Sequence, residues 1–329
     1  MRTRKFGPNG PDLPALGYGA MSLGNAWGDV DDSGADAMLS ALADRGIRHL
    51  DTANVYGQGL SESRIGAWIA RNGNPFHIAT KATISRDSEG NRTFNNAPEH
   101  LMSELEGSLK RLNVEAVDVF YAHRRNPGTP VEELAETLQG IVRSGKAKAV
   151  GLSEVAPTTL LTAAEIQPIA AVQSEYSLQT RAPDLGLRQA CERLGTALVA
   201  FSPVGRGLLT DTPPTPEFAA ANFFMKDNPR FQPEALARNI AYLAPLRSYA
   251  ADLGLSLAGL AVAWTLEQGP TMFSIPGTRS IAHLDQMIEG ARRGLTADEL
   301  DEIERLAPVG WCLGDRYSYQ QWWGAERYS

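Results

Sequence analysis

The chain has 329 residues, 43% hydrophobic and 21% charged, with a net charge of −7, so it can bury a full core and offers no Lys/Arg cluster as a nucleic-acid footprint. No apolar run approaches the roughly 18 residues of a membrane span, and the basic start at 1–5 leads into Gly7-Pro8-Asn9-Gly10, where a secretion signal needs an apolar stretch. Only Cys191 and Cys312 occur, with no CxxC or Cys/His ligand spacing, which points to a reducing, cytoplasmic compartment and to no metal site.

An N-terminal hairpin turning at Pro8-Asn9-Gly10 stands outside the pattern that follows. Short apolar runs, suited to strands covered on both faces, then recur at 15–20, 48–51, 77–81, 117–121, 147–151, 170–173, 197–201 and 272–275. Helical stretches lie between them. Asn96-Ala97-Pro98-Glu99 reads as a capping box, and Thr129-Pro130-Val131-Glu132 as another with proline in the first turn. Leu134, Leu138 and Ile141 mark the apolar face of the helix after it. Beyond the seventh strand, 210–232 reads as a long loop with Pro213, Pro214, Pro216, Pro229 and the pair Phe223-Phe224; such length in a compact domain points to a functional or a mobile segment. The tail from 308 to 329 reads as irregular and carries Trp311, Trp322 and Trp323. Strict strand–helix alternation allows an open doubly wound sheet or a closed barrel. Eight units in about 260 residues fit the barrel. The expectation is an α/β protein, one (β/α)8 TIM barrel domain over 1–329 with an N-terminal hairpin and long rim loops.

In such a barrel the reactive groups sit just beyond the C-terminal ends of the strands. Asp51, Lys81 and His123 fall there, and Tyr56 lies in the loop after Asp51. Singly, each has a structural explanation: a turn cap, a surface lysine, a core histidine. Together at one rim they make a proton donor. A tyrosine is a reluctant acid at neutral pH. A neighbouring ammonium favours its phenolate, a carboxylate fixes the ammonium, and a histidine orients a carbonyl oxygen or helps relay the proton. This set protonates the oxyanion formed when hydride reaches a carbonyl carbon.

The stretch 46–57, Gly-Ile-Arg-His-Leu-Asp-Thr-Ala-Asn-Val-Tyr-Gly, with Ser61-Glu62-Ser63 and Ile65-Gly66, resembles the signature of the aldo-keto reductases. So do Ala79-Thr80-Lys81, Asp118-Val119-Phe120-Tyr121-Ala122-His123-Arg124 and Pro130-Val131-Glu132-Glu133. The resemblance runs from about residue 4 to 307. It implies Tyr56 as general acid/base with Asp51, Lys81 and His123 as partners, and NADPH/NADP+ as cofactor. It implies Ser153 and Gln173 at the nicotinamide carboxamide and Phe201 stacking on the nicotinamide. The segment Ser202, Pro203, Gly205 and Gly207 then follows the pyrophosphate. Thr278 and Arg279, after Gly277, fall at the 2′-phosphate, and Gln286 near the adenosine. Two positions depart from the family pattern: Glu154 and Met287 stand where many members have Asn.

Other signals carry less. Gly17-Tyr18-Gly19-Ala20-Met21-Ser22 nearly spells a dinucleotide fingerprint but lacks the third glycine and a following helix. His49 shares a strand face with Asp51 yet lies deeper, so it reads as structural. Arg124-Arg125 raises the alternative of an anionic substrate. The expected activity is hydride transfer from NADPH to an aldehyde or ketone, giving an alcohol, with the reverse oxidation open. Trp27 joins Tyr56 and His123 on the substrate side. The rivals are an NADP(H)-binding sensor with little turnover and an NAD-linked alcohol dehydrogenase. The partner is a small carbonyl compound, with neither nucleic acid nor membrane expected, and a homo-oligomer is left open.

Overall fold

The computed structural model describes residues 1–86, 89 and 92–327; Tyr328 and Ser329, the end of the expected irregular tail, lie outside them. Strands β1 (Thr3–Lys5) and β2 (Asp12–Pro14) form the N-terminal antiparallel hairpin. An eight-stranded parallel sheet follows, made of β3 (Tyr18–Gly19), β4 (His49–Asp51), β5 (His77–Ala82), β8 (Val117–Ala122), β9 (Ala147–Ser153), β10 (Ile169–Glu175), β11 (Ala197–Phe201) and β12 (Met272–Ser274). Between β5 and β8 a small hairpin, β6 (Ile84–Arg86) and β7 (Arg92–Phe94), rises from the rim.

The sheet curls until its first and last strands meet. Leu16 bridges Ser274 in parallel, Gly17 N–H donates to the Ser274 carbonyl at 2.9 Å, and Ser274 N–H to the Ala15 carbonyl at 2.9 Å. The eight strand runs read from the sequence all fall on this barrel. The first is shorter than its apolar run, because Leu16 pairs there only as an isolated bridge.

A period of two divides the strand residues between two cores. Ala79, Val119, Tyr121, Ala171, Ala197, Val199 and Phe273 pack together inside the barrel, with Phe6 of the hairpin at its floor. Ile78, Phe120, Val150, Leu152, Val172 and Leu198 belong to the core shared with the surrounding helices. In the helix Val131–Arg143, Leu134, Leu138 and Ile141 are buried as their spacing requires. At the floor His49 is wholly buried, its Nδ1 3.1 Å from Nδ1 of His77 and its ring 4.6 Å from that of Phe6.

Three local expectations need correction. Asn96 does not cap the helix Pro98–Leu112; its amide donates to the Arg124 carbonyl and accepts from Asn126 N–H, which ties the rim loops together. Thr129 is not a cap either, because Pro130 itself occupies the cap of the next helix. Residues 210–232 are not all loop. Pro216 and Pro229 open a short helix (Pro216–Ala221) and a 3-10 turn (Pro229–Phe231), capped by the side chains of Thr215 and Asn228. Proline's fixed φ suits the first turn of a helix, so these prolines start elements instead of breaking them. Among the described residues no single helix is long and apolar enough to cross a membrane.

Candidate active site at the barrel mouth

Register decides which side chains reach the mouth. Asp51 pairs opposite Ala79, Lys81 opposite Tyr121, and Gln173 opposite Ser153. Asp51, Lys81 and Gln173 each lie two residues beyond His49, Ala79 and Ala171, so they share the inward face of their strands. Gly151 leaves the room that the Tyr121 ring fills: a Cβ there would come within 2.5 Å of that ring.

The Lys81 ammonium is fully buried and donates to Asp51 Oδ1 at 2.5 Å and to the Thr52 carbonyl at 2.7 Å. Gln173 Nε2 donates to the other Asp51 oxygen at 2.8 Å. Tyr56 sits in the turn after β4, half-buried, with its ring centre 5.0 Å from the Lys81 ammonium. His123, just past β8, presents its ring edge-on to Tyr56 at 6.1 Å, and its buried Nδ1 has no hydrogen-bond partner among the described residues. All four residues singled out in the sequence are therefore brought together.

Their environments separate their protonation states. Burial lowers the Lys81 ammonium, but Asp51 and Tyr56 outweigh it and hold the group above its ordinary value, and hence charged. Burial raises the Tyr56 phenol; Lys81 pulls it back, Asp51 pushes it up, and the net shift is upward. The sequence reading anticipated the lowering by Lys81 and missed the larger effect of burial. Burial, with Arg124 and Lys81, drives the His123 imidazole well below its ordinary range and leaves it neutral.

These groups open into a cleft of about 1670 Å³ that continues past Ser153, Gln173, Phe201, Ser202, Pro203 and Gly207 to Gly277, Thr278, Arg279 and Gln286. Gly205 does not line it. Its N–H donates to the Ser202 carbonyl, and a Cβ there would meet the side chain of Gln179, so Gly205 builds the turn from behind. Tyr18 fixes the far end by donating its hydroxyl to the Thr278 carbonyl at 2.6 Å. Arg279 is exposed beside the helix Ile281–Arg293, whose first turn is capped by Ser280.

Trp27 packs against Phe224 at 5.4 Å on the near side, and Phe223 and Trp323 also line the cleft. Trp311 instead stacks on Tyr242 at 5.3 Å, and Trp322 covers the guanidinium of Arg316 at 4.6 Å. Of the two neighbouring arginines, Arg124 lines the cleft and donates to the His123 carbonyl and to Ser153 Oγ, whereas Arg125 is paired with Glu326 at 2.5 Å. Sequence reasoning missed Arg316, Tyr317 and Gln321 of the tail, of which the last two line the cleft. The available signal was Glu154, a carboxylate at the end of a buried strand that needs a partner.

Residues 15–308 match the model of the aldo/keto reductase family. The chain is 32% identical over 321 residues to the aldo-keto reductase [NADP(+)] of Schizosaccharomyces pombe, covering 96% of this chain and 94% of that one. It is 35% identical over 315 residues to a probable aldo-keto reductase of Glycine max, covering 95% and 91%. Among solved structures it resembles the glycerol dehydrogenase of Gluconobacter oxydans, with 27% identity, a TM-score of 0.81 and 92% and 94% of the two chains covered. An aldo-keto reductase of Bacillus halodurans shares the fold at 22% identity and a TM-score of 0.75, over 98% and 99%. Matched by the family model along most of its length and by such relatives across nearly all of it, this chain belongs to the aldo/keto reductase family of oxidoreductases.

Proposed function

We propose that the chain, acting as one barrel domain in a reducing compartment such as the cytoplasm, reduces a small aldehyde or ketone to an alcohol with NADPH, and that Tyr56 is the proton donor. The observation that carries this reading is the Lys81 ammonium, held by Asp51 and Thr52 with no water access beneath the Tyr56 ring. The free thiols Cys191 and Cys312 agree with the compartment.

The cleft fits the cofactor. It exceeds the roughly 300–1,000 Å³ of a usual small-molecule site, and it is continuous from the buried polar cluster to an exposed arginine beside a helix start. Ser153 and Gln173 would hold the carboxamide, Phe201 the nicotinamide face, and the 202–207 turn the pyrophosphate. Thr278, Arg279 and Gln286 would hold the adenosine phosphate end, where an arginine fork suits a phosphate. Bound there, NADPH supplies the hydride.

The remaining steps belong to the protein. Trp27 and its aromatic neighbours exclude water from the substrate side. His123, neutral, is able to donate one hydrogen bond to the carbonyl oxygen and orient it toward Tyr56. As the carbonyl carbon gains hydride, its oxygen takes the proton of the Tyr56 hydroxyl. The phenolate left behind is stabilised by Lys81, whose charge Asp51 secures, and it recovers its proton from water. The test is NADPH consumption by the purified chain over a panel of aldehydes and ketones. Turnover of at least one carbonyl that disappears in Tyr56→Phe is expected; no turnover of any would overturn the reading.

A further inference from the structure

Glu154 follows Ser153 at the end of β9, at a position where the backbone is left-handed (φ 57°) and the side chain is fully buried. Its carboxylate faces away from solvent into a set of donors. Arg316 donates to it through both terminal nitrogens, at 3.1 and 2.6 Å, Glu175 N–H at 2.8 Å and Ser174 Oγ at 3.3 Å. The Glu154 backbone carbonyl in turn accepts from Glu326 N–H at 2.9 Å. One residue thus grips the tail twice, at Arg316 and at Glu326. The segment between these points carries Tyr317, Ser318, Gln320, Gln321 and Trp323 on the wall of the cleft. Gln321 meets the Phe224 carbonyl at 3.4 Å, so the pinned segment also touches the loop that faces Trp27.

We infer that Glu154 is a positioning residue for substrate selectivity: it clasps the tail into a closed loop that forms one wall of the substrate pocket, and it does not contact the cofactor. This rests on the reductase reading above. The carboxylate is fully engaged with Arg316, Ser174 and Glu175, so it is not available as a carboxamide partner. A bidentate arginine pair is also directional, which sets where Tyr317 and Trp323 fall along the rim. The Glu326 carboxylate, held by Ala156 N–H, Thr159 Oγ1 and Arg125, locks the far end.

The test compares Glu154→Gln, Arg316→Met and the double variant in three measurements: NADPH dissociation constant, kcat and KM over the carbonyl panel, and amide exchange of residues 315–327. Expected are loss of tail protection in each variant and a change of about tenfold in preference between bulky aromatic and small aliphatic carbonyls, within the range pocket contacts supply. The change should be carried by KM, with the double variant no worse than the single ones, as for two ends of one contact. NADPH affinity weakened by Glu154→Gln but not by Arg316→Met would overturn the inference, and so would unchanged selectivity in both. If Glu154→Gln does not fold, Arg316→Met and Arg316→Lys carry the same comparison, with partial recovery in the lysine variant. If even the wild type reduces no carbonyl, the reductase reading fails by itself; tail protection then decides the clasp alone, and retained protection in the variants overturns it.

Discussion

Lys81 Nζ lies 2.5 Å from Asp51 Oδ1, with 0% and 2% of the two side chains exposed. A buried pair of this kind is no strong source of stability, because desolvation consumes most of the attraction. Its value lies in position. Asp51 and the Thr52 carbonyl hold the ammonium in place, and its pKa is kept above the ordinary value against the opposing effect of burial. It stands 5.0 Å from the centre of the Tyr56 ring, so negative charge on that phenol forms beside a positioned cation.

Tyr56→Phe keeps the ring that packs near His123 and removes only the hydroxyl. Carbonyl reduction is expected to fall by roughly 10²–10⁴-fold, the usual contribution of a positioned acid. NADPH binding, measured by fluorescence titration, should persist, since no proposed cofactor contact uses that oxygen. Activity within about threefold of wild type, far short of a general-acid effect, overturns the assignment of Tyr56.

The pH dependence follows from the same pair. The protonated phenol is the active form, and burial holds its pKa above the ordinary tyrosine value despite Lys81. Reduction should therefore hold through neutral pH and decline only on the alkaline side. His123 titrates well below its usual range, so it should add no acid limb near the ordinary histidine value. In Lys81→Met the phenol loses its cationic neighbour, so its pKa rises further. The alkaline limb should move to higher pH while turnover drops. A limb that moves down, or does not move, contradicts the role given to Lys81.

Among the described residues, Arg279 makes one long hydrogen bond, to the Asp29 carbonyl at 3.4 Å. Arg279→Ala should weaken NADPH by about 10- to 150-fold, equivalent to a charge-assisted bond of roughly 1.5–3 kcal/mol. NADH, without the extra phosphate, should be nearly unaffected. Equal losses for both cofactors count against a phosphate contact.

The helices Leu257–Glu267 and Ile281–Arg293 meet at two glycines. A Cβ on Gly290 would stand 2.0 Å from the Gly259 carbonyl oxygen, which belongs to rigid backbone. Gly290→Ala should cost about 1–3 kcal/mol by overpacking and lower the Tm in calorimetry. Because Gln286 lies on the displaced helix, NADPH affinity should fall with it. An unchanged Tm would mean that the two helices can separate without cost.

The strands and the Asp51, Tyr56, Lys81 and His123 set were legible in the sequence because both rest on local order. Apolar runs mark buried parallel strands, and each catalytic candidate stands at or just after a strand end. What local order does not encode was missed. The Glu154–Arg316 pair joins positions 162 apart, and no periodicity announces it. Asn96 and Thr129 carry the residue types of helix caps, yet Asn96 spends its amide on the Arg124 loop and Thr129 lies one residue before the cap. Gly205 looked open to a pyrophosphate, but the turn consumes its N–H and its α-carbon backs onto Gln179. The tail tryptophans divide between the cleft and other surfaces according to contacts that only the folded chain sets.

The seam between the first and last barrel strands governs the order in which the chain can acquire its shape. Every other strand pair in the barrel joins strands successive around it, β4 with β5, β5 with β8 and so on to β11 with β12, so each can form as its own segment is completed. The seam cannot. Tyr18 and Thr278 are 260 positions apart, and Leu16 has no partner until Ser274 exists. Loop-closure entropy grows only slowly with length, so the cost of this step is mainly one of waiting. Until β12 emerges during synthesis, β3 and β11 present open edges of the kind that pair with other chains. Phe6, whose ring rests 4.8 Å from that of Phe273, has no complete floor to seal. The N-terminal hairpin, made first, is thus among the last parts to find its place, and a chain stopped before residue 272 would carry both raw edges permanently.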